Sequence, residues 1–355
     1  MPPRHWEEYT PDAQAPWDLP RVVHLHRRAA FAATWDELQR DLKDGPEKAI
    51  SRLLAGRASA HTPPDFGETS VSLMTAAVNA GDIGRLKAAW FHRMLFGHDP
   101  ITERLALLWH DHFATGFGKV RNVAQMRHQN DLFRTHARGK FGDLLSAAVR
   151  SPALLTYLDA PANRKGHPNE NLARELMELF TLGVGNYTEA DVKEAARCLT
   201  GWGVTEGRFA ENPQRHDGGE KAVLGRTGRW AGADLLARLL EHPATAERLV
   251  SKLVKAYFGE GACPAEAAAA LAGALRAHEL DIDWAVLTVL RSRLFFAAAN
   301  VRTRVAAPVE FVTGSARALG LFDRGPGTLA LAEWSARMGQ DLFDPPNVGG
   351  WPGGR

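Results

Sequence analysis

Cysteine is scarce in this chain of 355 residues, which contains only Cys198 and Cys263. Two cysteines cannot build the disulfide framework of a small secreted domain, and their spacing matches no zinc motif. Long apolar runs are also missing, because no stretch approaches the roughly 18 apolar residues that a membrane-spanning helix needs. The sequence therefore predicts neither a disulfide scaffold nor a membrane span.

A large excess of charge of either sign is absent as well. The chain has 43 basic and 41 acidic residues, for a net charge of +2, and its basic clusters, such as Arg27-Arg28, are short. Nucleic-acid-binding and membrane-surface proteins carry a marked basic excess, so we expect neither partner. Residues 1–9 contain no apolar run of the kind found in secretory signals, which predicts a cytoplasmic protein.

Helical patterns, in contrast, are abundant. Hydrophobic residues make up 45% of the chain and charged residues 24%, as in a globular, soluble protein. Capping signals precede apolar stripes along most of the chain, for example Thr34 with Glu37 and Thr188 with Asp191. Such a pair satisfies the free N–H groups at the start of a helix, so each indicates where a helix begins.

Residues 203–229 are the least helical part of the sequence. Two pieces of this segment, 207–209 and 222–225, could pair as a short hairpin. No shift in composition marks a domain boundary elsewhere. The sequence therefore predicts one all-α, multi-helix domain over residues 1–355, with a small irregular or hairpin insert around 203–229.

The most polar predicted helix starts at Pro168, which suits a first turn, and ends at Gly183. At about 100° per residue, Asn171, Glu175 and Glu178 share one face at the border of the apolar stripe. Two carboxylates in that position need a partner, which is a metal ion, a cation, or each other with a raised pKa.

Two interpretations of this helix stay open. In the functional one, Glu175 and Glu178 are catalytic, and polar or aromatic side chains around them bind substrate. The substrate-binding candidates are Asn169, Asn171, Arg174, Tyr187 and Trp202. In the structural one, Arg174 pairs with Glu170 and Glu178, each four residues away, and the helix carries an ordinary ion-pair network.

His110 and His112 are the candidate metal ligands. A His-x-His pair can chelate an ion from a strand, where residues two apart share a face. Asp99 as N-cap and Pro100 in the first turn instead predict a helix, on which the two rings point about 200° apart. Divalent metal binding then requires the helix to end before the pair; otherwise both are core histidines.

Residues 215–221, with the sequence Arg-His-Asp-Gly-Gly-Glu-Lys, form a third candidate. Paired glycines let the backbone approach a ligand closely, and His216, Asp217 and Lys221 supply acid–base and charged groups. The segment lacks the full glycine and lysine pattern of a phosphate-binding loop. It is either a catalytic loop that contributes these three side chains or a plain polar loop.

Several of these segments together carry a resemblance to a known family. They are His24-Leu25-x-Arg27-Arg28-Ala29-x-Phe31, Trp109-His110-x-His112-Phe113, the block from Asn169 to Gly183, Tyr187-Thr188, Thr200-Gly201-Trp202, His216-Asp217-x-Gly219-x-Lys221 and Pro346-Asn347-Val348-x-Gly350-Trp351-Pro352. The chain resembles, over nearly its whole length, a large bacterial family known as domain-of-unknown-function family 1800.

This resemblance implies no agreed activity. It does imply that relatives are often encoded beside a protein resembling alkaline phosphatases and sulfatases, and that many relatives are exported. The resemblance thus implies export, whereas the absence of an apolar run in residues 1–9 predicts a cytoplasmic protein. Relatives also commonly continue into further helices after the Gly-Trp-Pro element, so we expect this chain to lack a C-terminal helical extension.

Two functions follow from the sequence. The first is an enzyme whose pocket gathers Glu175 and Glu178 with His112 and the His216 loop, either for hydrolysis by these side chains alone or for metal-assisted chemistry with a divalent metal as cofactor. The second is a non-catalytic partner or maturation factor for the phosphatase-like or sulfatase-like protein.

Overall fold

A computed structural model describes residues 3, 5–57, 59, 61–259 and 262–352. Within these ranges the chain forms eighteen α-helices, two two-stranded sheets and one π-helix, which confirms the predicted all-α class. The helices are α1 (Leu19–Ala29), α2 (Trp35–Asp44), α3 (Pro46–Leu54), α4 (Phe66–Ala80), α5 (Ile83–Phe96), α6 (Pro100–His112), α7 (Phe117–Val120), α8 (Val123–Thr135), α9 (Phe141–Val149), α10 (Pro152–Tyr157), α11 (Asn171–Glu175), α12 (Glu189–Cys198), α13 (Gly232–Glu241), α14 (Pro243–Tyr257), α15 (Ala265–Ala277), α16 (Ile282–Arg291), α17 (Pro308–Ala318) and α18 (Thr328–Arg337). The strands are β1 (Trp202–Thr205), β2 (Arg208–Glu211), β3 (Lys221–Val223) and β4 (Arg226–Gly228), and the π-helix, Leu176–Thr181, directly follows α11.

Local capping signals start several helices as predicted. At α2, the Thr34 hydroxyl accepts the N–H of Glu37, and the Glu37 carboxylate accepts the N–H of Thr34. Thr188 and Asp191 form the same reciprocal pair at α12. Such a cap is worth about 1 kcal/mol, because it satisfies donors that the first turn leaves free.

The insert predicted around 203–229 consists of two separate antiparallel hairpins, β1–β2 and β3–β4. Two residues of positive φ turn each hairpin, Glu206 and Gly207 in the first and Leu224 and Gly225 in the second. Turns of this kind match the right-handed twist of the strands that they join. Residues 207–209 and 222–225 were predicted to pair with each other. They instead belong to different hairpins, the first to β1–β2 and the second to β3–β4.

Helix α6 is the centre of the fold. Almost every face of it is buried, including the side chains of Glu103 and Arg104, which is typical of a helix enclosed by others. Its C-terminal end packs against aromatic rings of α8 and α9, through Phe113 with Phe133 and Phe141. The end of α6 therefore lies in the core. None of the described helices is both long and apolar enough to cross a membrane.

The buried carboxylate of Glu103 connects three central helices. It accepts hydrogen bonds from the indole of Trp90 (3.0 Å) and from the guanidinium groups of Arg93 (3.0 Å) and Arg134 (2.7 and 3.3 Å). Burial alone would raise its pKa, yet the two arginines hold that pKa below its ordinary range. The network joins α5, α6 and α8 without leaving the carboxylate uncompensated.

The polar helix does not begin at Pro168 as predicted. It begins at Asn171, because residues before it form a turn held by asparagine side chains. Asn169 donates its N–H to Oδ1 of Asn163 (3.0 Å), and its own Oδ1 accepts the N–H of Asn171 (3.0 Å). The end of the helical segment agrees with the prediction, since Gly183 follows it with a φ of +81°.

Candidate functional site

The predicted site helix changes its winding directly after Glu175, where α11 gives way to the π-helix. The Thr181 hydroxyl donates to the carbonyl of Leu176 (2.6 Å), five residues earlier, and Nε2 of His112 lies 3.1 Å from the carbonyl of Phe180. Side chains therefore bind carbonyl groups of the wider turn. Such π turns are rare and occur frequently at functional sites.

Glu175, the last residue of α11, is half-buried. Burial raises the pKa of its carboxyl above the ordinary 4.5, and the charge of Glu178 raises it further, while Arg174 acts in the opposite direction. Among the described residues, no group donates a hydrogen bond to this carboxyl and no cation pairs with it. Glu175 is therefore a carboxyl that holds its proton to a higher pH than an exposed glutamate does.

The acidic neighbours of Glu175 do have partners. Glu178 accepts the hydroxyl of Tyr187 (2.9 Å); burial and this bond raise the pKa of Tyr187 to about 12. Arg174 pairs with Glu189 (2.7 and 2.8 Å) and with Glu170 (3.0 Å). The predicted pair of Arg174 with Glu170 is confirmed. Its predicted pair with Glu178 is wrong, because the guanidinium reaches across to Glu189 on α12.

Tyr157 lies within electrostatic range of both Glu175 and Asp344, and sequence reasoning missed Tyr157 and Asp344. A Cβ on Gly116 would lie 3.2 Å from the Tyr157 ring and 3.3 Å from Oδ1 of Asp344, so both side chains contact the same glycine. Burial raises the pKa of Tyr157, and the charges of Asp344 and Glu175 raise it further. The phenol therefore stays protonated near neutral pH, beside two carboxyl groups.

Asn169 and Asn171 hold the approach to α11 in place. The side chain of Asn171 donates to Asp159 (3.2 Å), which also pairs with Lys119 (2.8 Å). The Asn169 side chain accepts the backbone N–H of Asn171, as described above. In this structure both amides bind protein groups at the N-terminal end of the predicted site helix.

Trp202 is buried at the start of β1. The guanidinium of Arg150 lies 5.0 Å from its ring centroid, and Phe209 packs edge-on at 5.2 Å. A side chain at Gly232 would overlap the indole, so this glycine allows α13 to pack closely on it. The structure thus places Trp202 in the core of the insert, whereas substrate binding was predicted for it.

The predicted catalytic loop is bonded to the end of α12. Nδ1 of His216 lies 3.0 Å from the carbonyl of Thr200, and Asp217 pairs with Arg197 (2.7 Å), which lowers the pKa of Asp217 to about 2. Lys221 is buried, and its Nζ donates to a carbonyl of the loop itself (3.1 Å). No described contact joins any of the three predicted catalytic side chains to α11.

His110 and His112 both lie in the core, because α6 continues through His112 and their rings diverge. Nε2 of His110 accepts the N–H of Phe343 (2.9 Å), while His112 faces the carbonyl of Phe180. Burial lowers the pKa of His110 to about 3 and that of His112 well below its ordinary range, so both rings are neutral. In the described ranges, no three His, Cys, Asp or Glu side chains are grouped to hold a metal ion, so the donors do not fit the predicted divalent metal.

A family model described as "Protein of unknown function (DUF1800)" matches residues 24–355. The chain belongs to the DUF1800 family. This membership confirms the resemblance drawn from the motifs. No curated protein and no solved structure matches the chain. The description of DUF1800 names no activity, so a functional proposal has to be based on the geometry of the molecule.

In this DUF1800 chain, the motif at 346–352 docks on the end of α6. The N–H of Trp351 donates to the Asp111 carboxylate (2.9 Å). Gly350 has a φ of +86°, and a Cβ there would overlap Asp111, reaching 2.7 Å from its backbone oxygen. Just before the motif, Asp344 accepts the N–H of Gly118 (3.1 Å). These bonds hold the segment that brings Asp344 towards Tyr157.

Proposed function

We propose that this chain is a hydrolase in which Glu175 is the general acid–base residue. The observation that carries the proposal is that Glu175 is half-buried at the start of a π turn and has no hydrogen-bond or ion-pair partner among the described residues, whereas Glu170, Glu178 and Glu189 all have partners. A carboxyl whose pKa is raised holds its proton more firmly than an exposed glutamate, and it can donate that proton to a leaving group. The resulting carboxylate can then accept a proton from water.

Neighbouring side chains have distinct roles in this proposal. Glu178 is fixed as a hydrogen-bonded carboxylate by Tyr187, and its charge helps to keep Glu175 protonated. The phenol of Tyr157 has no described hydrogen-bond partner and is protonated, so it can donate to a substrate oxygen beside Glu175. The combination supports proton transfer together with binding of a polar substrate group.

The proposal differs from the sequence-based hypothesis in two respects. It omits a metal, because the described donors do not form a metal site, and it omits His112 and His216, which are bonded elsewhere. The alternative function, as a partner of a phosphatase-like or sulfatase-like protein, stays a prediction from the family resemblance. No contact in the described structure favours it.

The test is hydrolysis of chromogenic carboxylic esters, glycosides and amides by the purified chain. We expect turnover of at least one class, and a loss of about 10²–10⁴-fold in Glu175→Gln, the usual contribution of a general acid–base residue. Glu189→Gln is the matched control, because it alters an exposed ion pair on the neighbouring helix and should retain activity. Turnover that is equal in Glu175→Gln, or absent for all three classes, would contradict the proposal.

A further inference from the structure

A cavity of about 850 Å³ lies between α1, α6, α14 and the start of α17. Its volume is in the range of small-molecule binding sites, about 300–1,000 Å³. Residues 349 and 351–352, which belong to the motif at 346–352, line part of this cavity. Neither Glu175 nor Tyr157 is among its described lining residues, so the cavity is distinct from the proposed acid–base site.

The described lining of this cavity is strongly basic. Its acidic residues are Asp111 and Glu310. Its basic residues are Arg28, Arg104, Arg248, Lys252, Lys255 and Arg304. The whole chain carries nearly balanced charge, so this concentration of cations is local. A concave basic lining of this kind favours an anionic ligand.

At the start of α17, a single carboxylate forms ion pairs with two guanidinium groups. Glu310 pairs with Arg104 (2.6 Å) and with Arg304 (2.6 and 2.8 Å). Although burial raises the pKa of Glu310, these arginines hold it at about 2, so the group is ionised. One negative charge therefore faces two positive charges there.

Arg28 adds a third guanidinium, and among the described residues it has no hydrogen bond or ion pair, although the charge of Glu310 acts on it. The residue is only 4% exposed, and its Nε lies buried without a hydrogen-bond acceptor among the described residues. Burial and the charge of Arg304 lower the pKa of Arg28 to about 9. The guanidinium is therefore still protonated at neutral pH. An isolated buried cation is costly, and arginine does not escape that cost by losing its proton. Arg28, Arg104 and Arg304 carry three positive charges against the single negative charge of Glu310, so these four residues have a net charge of +2.

Two of the basic lining residues, both on α14, already have partners. Nε of Arg248 donates to the carbonyl of Leu179 (3.3 Å), and Lys252 pairs with Asp111 (3.3 Å). An anionic group that enters the cavity therefore meets its unpaired cation at Arg28. The lining also contains apolar residues, which include Leu105, Leu108, Tyr257, Phe258 and Trp351.

We propose that this cavity binds a small organic phosphomonoester, with its phosphate against Arg28, Arg104 and Arg304. The dianionic phosphate matches the two uncompensated charges, and its oxygens suit the planar donor fork of guanidinium groups. The organic part contacts apolar lining residues such as Leu105 and Tyr257. This inference does not rest on the proposed hydrolase function, and Glu175→Gln protein should bind the ligand as wild type does.

Isothermal titration calorimetry with phenyl phosphate tests the proposal, with inorganic phosphate, phenyl sulfate and potassium chloride compared at equal ionic strength. We expect phenyl phosphate to bind at least about tenfold more tightly than monoanionic phenyl sulfate, since a further charge-assisted contact is satisfied. Equal affinity for inorganic phosphate would overturn the phosphomonoester assignment in favour of a free-phosphate site. Equal heats with chloride would overturn it altogether.

Arg28→Met provides the matched variant, with Arg27→Met as control, because Arg27 is the exposed neighbour on the same helix. We expect Arg28→Met to weaken phenyl phosphate binding by about tenfold or more while Arg27→Met leaves it unchanged. We also expect Arg28→Met to raise the melting temperature of the unliganded protein, because an apolar side chain replaces an unpaired buried cation. Wild-type affinity in Arg28→Met would overturn the proposal.

Arg304→Gln is the second variant, in case Arg28→Met does not fold. It removes one positive charge from the group around Glu310, which leaves one uncompensated charge in place of two. Its affinity for dianionic phenyl phosphate should fall by about tenfold, and its affinity for monoanionic phenyl sulfate should fall less. Equal losses for both ligands, or no loss, would contradict the charge matching on which the assignment depends.

Discussion

Replacement of Glu175 by glutamine should stabilise the protein at neutral pH and leave its stability unchanged in acid. The pKa of Glu175 in the folded protein lies above its ordinary 4.5, because of burial and the charge of Glu178. Between these two pKa values the folded state binds more protons than the unfolded state, so wild-type stability falls as pH rises through that window. Glutamine cannot ionise, so the variant does not lose this stability.

The gain is small and can be bounded from the structure. A like-charge pair one turn apart on an exposed helix costs about 0.2–0.5 kcal/mol. Partial burial of Glu175 adds to that cost, while its remaining contact with solvent screens the repulsion, so we expect a gain of about 0.5–1 kcal/mol. With an unfolding entropy of about 0.7 kcal/mol/K for 355 residues, the melting temperature should rise by about 1 °C.

Urea unfolding followed by circular dichroism at about pH 4 and about pH 7.5 measures this difference. Glu189→Gln is the control, because it breaks an ion pair with Arg174 and should lower stability at the higher pH. Glu175→Gln should therefore raise the free energy of unfolding and Glu189→Gln should lower it. This difference in sign distinguishes a carboxyl without a described partner from one in an ion pair. A Glu175→Gln variant that is less stable than wild type at the higher pH, or a gain of equal size at both pH values, would refute the reasoning.

Two further predictions concern the packing around α6. Gly350→Ala should lower the free energy of unfolding by at least about 1–2 kcal/mol, because alanine is strained at a φ of +86° and its Cβ overlaps Asp111. Amide hydrogen exchange over 346–352 should then be faster than in wild type. Unchanged exchange would contradict the docking of this motif on α6. Glu103→Gln should lower the free energy of unfolding by about 3–5 kcal/mol, because it removes the buried carboxylate that the partly buried Arg93 and Arg134 share. Chemical denaturation checks this value, and a variant within about 0.5 kcal/mol of wild type would contradict the role given to that network.

Features that depend on a few neighbouring residues were predictable from the sequence. Thr188 and Asp191 lie in the same first turn, so their capping interaction does not require knowledge of the fold. The same holds for the pairing of Arg174 with Glu170, four residues away, and for the stop at Gly183. Each of these is decided by the local geometry of the chain.

The arrangement around Glu175 was only partly predictable. The prediction that Glu178 shares a face with Glu175 assumed a regular α-helix. The π-helix begins at Leu176, between these two residues, and its wider turn changes the direction in which the following side chains point. Tyr157 and Asp344 lie in distant parts of the sequence, and only tertiary packing on Gly116 brings them together. No spacing rule relates such residues, so the sequence could not indicate them.

The basic cavity left a partial trace in the sequence. Arg248, Lys252 and Lys255 recur at helical spacing on one face of α14, a pattern that the sequence shows directly. The feature that points to a ligand is the unpartnered state of Arg28, and this depends on burial by α6 and α17. Pairing of a buried charge is a property of the tertiary structure, and a local sequence pattern does not determine it.

The most direct test of Glu175 as an acid–base residue is its pKa in the folded protein. Carboxyl ¹³C NMR of protein labelled at glutamate follows each titration, and the resonance missing from Glu175→Gln assigns the signal. We expect this resonance to titrate above the ordinary value of 4.5, and to shift towards that value in Glu178→Gln, where the neighbouring charge is removed. A midpoint at or below 4.5, or one that does not respond to Glu178→Gln, would contradict the assignment of Glu175.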